Sequence, residues 1–153
     1  MREIEFKHLF DITLNLGEPQ NLGDTPYGSK RIVPVTGGDF SGDRIKGQVL
    51  PNAAADWVLV RNDASIKLDV RLTLLTIDQS MIFMRYEGIR NSPREVTSKI
   101  GKREEVDPEQ YYWRIAPFFE TSNNTYHWLN NIVSVGTGSK SNQKVQYTVF
   151  ELL

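Results

Sequence analysis

Two histidines, His8 and His127, carry the side chains that titrate closest to neutral pH, and the chain has no cysteine. Without cysteine, a thiolate metal site, a cysteine nucleophile and a disulfide framework are all excluded. A zinc site needs three or four ligands, and the two histidines lie far apart in the sequence, so we predict no metal site. His8 falls on the apolar face of an alternating segment, which favours a hydrogen-bonded core histidine over a pH-sensitive group.

Glycine-containing strings are the other places where chemistry could lie, and their context argues against it. Gly37-Gly38 and Gly136-Thr137-Gly138 do not stand between a strand pattern and a helix pattern, as a phosphate loop or a dinucleotide site requires. We interpret them as bulges and turns, and we predict no cofactor. The chain has no Gly-x-Ser-x-Gly string, so a nucleophile elbow is not supported.

Length and composition limit the classes to which this chain can belong. With 153 residues it has the size of one domain, which we place at residues 1–153. Its 18 basic and 19 acidic residues leave a net charge of -1. Nucleic-acid binders rely on a basic excess, so we predict no nucleic-acid partner. No apolar run has the length of a signal peptide or a membrane helix, so we expect a cytoplasmic protein with no membrane partner.

The elements that must position any functional side chain are strands, because period-2 alternation dominates the sequence. Ile4, Phe6 and Phe10, for example, lie on one face of the first segment, and charged residues lie on the other. The fold class is therefore all-β, and long strands with many glycines favour a single antiparallel β-barrel of about 8–10 strands. The predicted strands are 3–16, 30–36, 44–50, 56–61, 66–77, 81–88, 111–119, 132–138 and 145–152.

One long polar loop, residues 90–110, is predicted to be mobile and to act as a lid over an open end of the barrel. Within it, Asp107-Pro108-Glu109 has an N-cap residue followed by proline at the first helical position, which predicts one helical turn. Residues 125–131 are predicted to form a second short turn.

Several short strings, taken in order, resemble a known family. They are Gly37-Gly38-Asp39-Phe40-Ser41-Gly42, Gly47-Gln48-Val49-Leu50-Pro51, Ala55-Asp56-Trp57, Leu68-Asp69-Val70-Arg71, Tyr112-Trp113-Arg114, Phe119-Glu120-Thr121 and Tyr126-His127-Trp128-Leu129-Asn130. Their order and spacing over residues 28–152 resemble the bacterial and fungal family called domain of unknown function 3237, also catalogued as uncharacterised protein family 0311. The resemblance implies a β-barrel and no established activity or cofactor. Two turns depart from the family pattern, because Asn52-Ala53-Ala54 and Asp78-Gln79 stand where the family usually has glycine.

Five charged residues match recurring polar positions of that family, namely Asp56, Asp69, Arg71, Arg114 and Glu120. If they share the lumen, the arginines would clamp a carboxylate and Asp56 or Asp69 would act as a base. Alternatively they are cross-strand ion pairs that fix the register. Alternation favours the second interpretation for Asp69 and Arg71, because the opposite face of their strand is wholly apolar.

Aromatic residues complete the candidate ligand-binding set: Trp57, Tyr112 and Trp128 join the five charged residues. These three residues, together with Trp113 and Tyr126, are expected in the core and at the barrel ends. The alternative is that they stack on a ligand, since aromatic side chains also line binding pockets.

Three functions from different classes fit this pattern. We favour a barrel that binds a small polar or anionic molecule in a charged and aromatic lumen, with enzymatic activity left open. The alternative is a non-enzymatic structural or interaction domain, as a homodimer. A single-strand nucleic-acid binder would need a basic groove, which the net charge argues against. An open polar cavity would support the first function, and a dry packed lumen would support the second.

Overall fold

Strands dominate the structure, which is a computed structural model. The structure describes residues 2–153. The predicted domain 1–153 also includes Met1, which lies outside the described residues. The strands are β1 (Phe6–Leu16), β2 (Gln20–Thr25), β3 (Gly28–Ser41), β4 (Lys46–Val49), β5 (Ala55–Val60), β6 (Ile66–Thr76), β7 (Met81–Asn91), β8 (Tyr112–Glu120), β9 (Ser134–Ser141) and β10 (Lys144–Leu152). One α-helix, α1 (Arg94–Gly101), and two 3₁₀ helices, Pro108–Gln110 and His127–Asn131, complete the described elements. None of the helices in this range has the length and apolar character that crossing a bilayer requires.

The ten strands form one antiparallel sheet that closes on itself, as predicted. Around the barrel the order is β1, β10, β9, β8, β7, β6, then β4 and β5, then β3, which pairs with β1 and closes the ring. β4 and β5 share one of the eight positions end to end, since both lie between β3 and β6. β2 pairs with β3 as an additional edge strand.

Alternation decides which side chains enter the barrel. On β6, residues 66, 68, 70, 72, 74 and 76 are buried, while those between them are exposed or half-buried. One end of the barrel is filled by aromatic side chains, because Phe10 packs edge-on against Phe40 and Phe119 at ring-centroid distances of 5.5 and 5.9 Å. The other end carries the β1–β2 turn, the β9–β10 hairpin and the segment after α1, and these form the mouth.

The structure differs from the sequence prediction in several segments. Gly136-Thr137-Gly138, interpreted as bulges and turns, lie in a regular part of β9, and Gly37-Gly38 lie within β3, next to a register shift against β1. β2 was not predicted, because Gly17, Pro19 and Gly23 indicated turns; β2 is an exposed edge strand without a buried face. The predicted loop 90–110 begins with the end of β7 and contains α1, whose buried residue is Ile100. The predicted turn at residue 107 is present, since the Asp107 side chain accepts a hydrogen bond from Glu109 N at 2.9 Å.

His8 is not a core residue. The register of β1 on β10 shifts between His8 and Phe10, so Leu9 and Phe10 are both buried and His8 faces outward. A β-bulge of this kind reverses the phase of alternation, which pattern reading cannot anticipate. The His8 ring lies 3.2 Å (Nε2) from Asp11 Oδ2 on the surface.

Both turns that depart from the family pattern use a left-handed residue. Asn52 has φ 81° and Gln79 has φ 68°, and glycine adopts this region without the strain that a Cβ atom causes.

We expect Gln79→Gly to raise the free energy of unfolding by about 0.5–1 kcal/mol, because the relief of left-handed strain exceeds the added chain entropy. Urea denaturation measures it. Asn52→Gly is the control and should gain less, since asparagine tolerates this region. A loss of stability in Gln79→Gly would show that the glutamine side chain contributes more than its backbone strain costs.

Candidate functional site

A cavity of about 150 Å³ lies inside the mouth half of the barrel. Its apolar wall is formed by Leu14, Val33, Val35, Val58, Leu68, Val70 and Val145. Its polar lining consists of Arg31, Asp56, Tyr86, Arg90, Trp113, Lys140 and Tyr147. The mouth is bordered by Glu18, Arg103 and Asn142. An apolar cavity of about this volume in another protein binds benzene, so the space accommodates one aromatic ring.

Strand register brings the polar residues together. Asp56 pairs with Val33 on one side and Val70 on the other, and Val70 pairs with Tyr86, so these four lie in one row along the barrel wall. Arg31 lies two residues from Val33 on β3, towards the end at which β5 finishes. Arg90 lies four residues from Tyr86, at the end of β7. The arginines therefore project from positions nearer the mouth than Asp56 and Tyr86 do.

Asp56 is the carboxylate of the lumen interior. Its Oδ1 accepts a hydrogen bond from Asp69 N at 3.1 Å, and no other described residue donates to this side chain. Burial raises the pKa of Asp56 from 3.8 to about 6, with a smaller rise from the Asp69 charge, while the Asp69 N–H bond, Arg90 and Arg31 oppose the rise. A carboxyl with a pKa of about 6 exchanges its proton near neutral pH, which suits acid–base chemistry.

The cations of the lumen outnumber its carboxylates. Arg31, Arg90 and Lys140 line the cavity with Asp56, and the ion pairs found within residues 2–153 include none of the four. Burial is the main cause that lowers the pKa of Lys140 and of Arg90, and the other arginines add to it. Positive charge without a partner in a half-buried site favours an anionic occupant.

Aromatic rings form one side of the cavity. The Trp113 ring meets Tyr147 edge-on at 5.7 Å, and Tyr147 meets Tyr86 edge-on at 5.3 Å. Gly138 makes room for the indole, because a Cβ there would come within 2.8 Å of it. The Arg90 guanidinium lies 5.0 Å from the centroid of the same indole. Burial raises the pKa of both tyrosines, so each keeps its hydroxyl proton.

Three buried side-chain groups in the described part of the chain have no hydrogen-bond partner: Arg31 Nε, Tyr86 OH and Trp113 Nε1. All three belong to the lining of this cavity, and all three can donate. The Tyr147 hydroxyl is the protein acceptor beside Tyr86 and Trp113, and it lies close enough for both to oppose the rise in its pKa, although neither contact has the geometry of a full hydrogen bond. Buried donors are almost always paired in native proteins, so three donors short of acceptors in one cavity favour a ligand that brings an acceptor.

The structure does not bring the sequence-predicted charged residues together. Asp56 lines the lumen, whereas Asp69 lies on the other face of the sheet and reaches Asp56 only through its backbone N–H. Arg71, Arg114 and Glu120 are exposed on the outer surface. Arg114 lies 4.9 Å over the Tyr112 ring there.

The predicted aromatic candidates also lie away from the lumen. Tyr112 is exposed, and Trp57 is a half-buried residue next to Lys30, whose Nζ lies 3.5 Å from the Trp57 carbonyl oxygen. Trp128 packs at the filled end, where Arg44 lies 4.2 Å over its ring.

Sequence reasoning missed five lumen residues: Arg31, Tyr86, Arg90, Lys140 and Tyr147. Two of them carried a readable signal. Arg31 is in phase with Val33 and Val35, and Arg90 is in phase with Tyr86, so each is a charged residue on the apolar face of a strand. Asp56 shows the same signal with Val58. Such a phase violation marks a buried charge.

Comparison with known proteins gives consistent results. A family model described as "Protein of unknown function (DUF3237)" matches residues 4–152. A UPF0311 protein of Rhodopseudomonas palustris is 34% identical over 150 residues, which cover 98% of this chain and 97% of that protein.

Two solved structures are similar over the whole barrel. A conserved protein of unknown function from Rhodopseudomonas palustris has a TM-score of 0.93 at 33% identity, with 100% of both chains covered. A β-barrel-like protein from Acinetobacter baumannii has a TM-score of 0.87 at 33% identity, with 100% of this chain and 98% of that chain covered.

Proposed function

The chain belongs to the DUF3237 family of proteins of unknown function, and from that premise we propose that its lumen binds a small organic anion. The observation that carries the proposal is that all three unpartnered buried donors line one cavity. A carboxylate, phenolate or enolate oxygen supplies the acceptor that each of them lacks. The unpaired cations of the lumen favour a negative charge on that acceptor.

Size and polarity support one ring rather than a larger ligand. The cavity of about 150 Å³ has an apolar wall with convergent polar groups, which is the composition of a small-molecule site. The mouth leads to solvent between the β1–β2 turn and the β9–β10 hairpin, so a ligand has a path of entry.

Benzoate and its neutral analogue benzamide test the proposal directly. The chain has three tryptophans, hence three indole N–H signals in a nitrogen-15 correlation spectrum, and of these side chains Trp113 lines the cavity. We expect benzoate to shift the Trp113 signal, assigned with Trp113→Phe, and to leave the other two in place. Benzamide should bind more weakly. If neither compound moves the Trp113 signal, the lumen is not a binding site; equal binding of both would refute the anionic ligand.

Arg31→Gln should weaken benzoate binding by roughly 10- to 100-fold, because a hydrogen bond to a charged group contributes about 1.5–3 kcal/mol. Titration of the Trp113 indole signal gives the dissociation constant. Lys30→Gln is the matched control. Lys30 directly precedes Arg31 in β3 and faces outward, and its substitution removes the same charge. Equal weakening in both variants would show that net charge alone, and not the placement of Arg31, governs binding.

A further inference from the structure

Resting on the proposed function, we propose that the lumen enolises single-ring α-keto acids, with Asp56 as the base that takes the proton from the carbon next to the ketone. Phenylpyruvate represents the class. It combines a carboxylate for the cations, a ring for the apolar wall and an acidic carbon between them. The reaction goes beyond binding, because it requires a free carboxylate oxygen and donors aimed at a second position.

Asp56 has the placement that a base needs. One of its oxygens is held by Asp69 N at 3.1 Å, which fixes the carboxyl group, and the other oxygen accepts no hydrogen bond from residues 2–153. Arg31 and Arg90 project from positions nearer the mouth than Asp56 does. A ligand held by its carboxylate at the arginines therefore directs its next carbons toward the row that contains Asp56 and Tyr86.

Donors for the developing oxyanion line the same cavity as the base. The Tyr86 hydroxyl lies in the same strand row as Asp56 and has no partner, and the Trp113 indole N–H is also unpaired. Preorganised donors of this kind stabilise an enolate without reorganisation, since they are held by a packed barrel wall. Tyr86 donates a hydrogen bond and keeps its proton, because burial raises its pKa.

The step is balanced without a cofactor. The C–H bond breaks and its proton goes to Asp56; its electron pair forms the C=C bond, and the ketone π pair moves to the oxygen. The Asp56 acid then exchanges its proton with water at the mouth and returns one to the same carbon, so the net reaction is hydrogen exchange between that carbon and solvent. The pKa of about 6 for Asp56 leaves it mostly ionised at neutral pH, yet basic enough to accept the proton.

Proton NMR of phenylpyruvate in heavy water at neutral pD tests the inference. We expect the wild-type protein to accelerate loss of the methylene signal over the buffer reaction. Asp56→Asn should lose roughly 10²- to 10⁴-fold of that acceleration and still shift the Trp113 indole, because the cations are intact. Tyr86→Phe should lose a smaller factor. Glu87→Gln is the matched control. Glu87 follows Tyr86 on β7 and its carboxylate faces outward, so this variant should catalyse the exchange as the wild type does.

The outcomes separate this activity from binding. If phenylpyruvate or benzoate shifts the Trp113 signal but exchange stays at the buffer rate, the proton transfer is wrong and the binding proposal stands. Exchange by Asp56→Asn at the wild-type rate overturns Asp56 as the base. Binding of benzoate without binding of phenylpyruvate overturns the substrate class. If neither compound binds, both proposals fail together.

Discussion

Gly38→Ala is expected to lose more than about 4 kcal/mol of stability, enough to prevent stable folding. A Cβ atom at this position would lie 1.9 Å from the carbonyl oxygen of Thr13, which is backbone and cannot move aside. Gly38 pairs with Leu14 on β1 and with Val49 on β4, so β3 is fixed on both sides at this point. The pairing of β3 with β1 closes the barrel. Relief of the clash would push these two strands apart.

Gly37→Ala is the matched control. Gly37 and Gly38 share a φ of 148°, but a Cβ at Gly37 would meet only Val49 O, at 3.8 Å. The control therefore carries the backbone strain alone, about 1–3 kcal/mol, without the clash. Urea unfolding followed by tryptophan fluorescence and far-ultraviolet circular dichroism compares the two. Equal losses in both variants would show that strain, and not contact with β1, is the cause.

Asp56→Asn is expected to make the protein more stable at neutral and alkaline pH, although it removes the proposed base. In the folded protein the pKa of Asp56 is raised from 3.8 to about 6 by burial, so ionisation disfavours the folded state. The difference corresponds to about 3 kcal/mol. The asparagine oxygen can still accept from Asp69 N, so the variant resembles the protonated side chain.

The sign of the pH dependence follows from linkage. Below pH 3.8 the proton is bound in both states, and the contribution of Asp56 to stability is fully present. As the pH rises from 3.8 the unfolded chain loses the proton first, and the contribution falls until the folded protein has also lost it, above about pH 6. Unfolding of both proteins from about pH 4 to 8 should show the advantage of Asp56→Asn growing by about 2.5 kcal/mol. An advantage that does not change with pH would show that Asp56 ionises as freely in the lumen as in water.

Alternation predicted most of the barrel because it reports directly on which side of a strand is buried. It worked for β6, where every second residue from Ile66 to Thr76 is buried. It failed where the apolar residues of a strand do not mark one buried face. β2 buries neither face, and the bulge at His8 changes phase within β1. Helix α1 was missed because its amphipathic face buries little beyond Ile100.

The candidate site was harder to predict than the fold, since a binding cavity combines residues that no local pattern relates. Asp56 was identified with a role as a possible base, but the arginines chosen beside it, Arg71 and Arg114, point outward. The arginines that enter the lumen, Arg31 and Arg90, lie on the apolar faces of their strands. Tyr86 and Tyr147 lie on β7 and β10, which do not pair, and only the closure of the barrel brings their rings within 5.3 Å of each other.

The shared position of β4 and β5 divides the barrel into two compartments that contribute differently to stability. Beside β4 the barrel is filled by the rings of Phe10, Phe40 and Phe119, and beside β5 it is lined by costly polar groups around a cavity. Burial of the three rings in the packed compartment stabilises the fold and offsets the cost of the polar groups in the other compartment. Substitutions of residues around the cavity should therefore leave the barrel closed, whereas substitutions of the three rings should destabilise it.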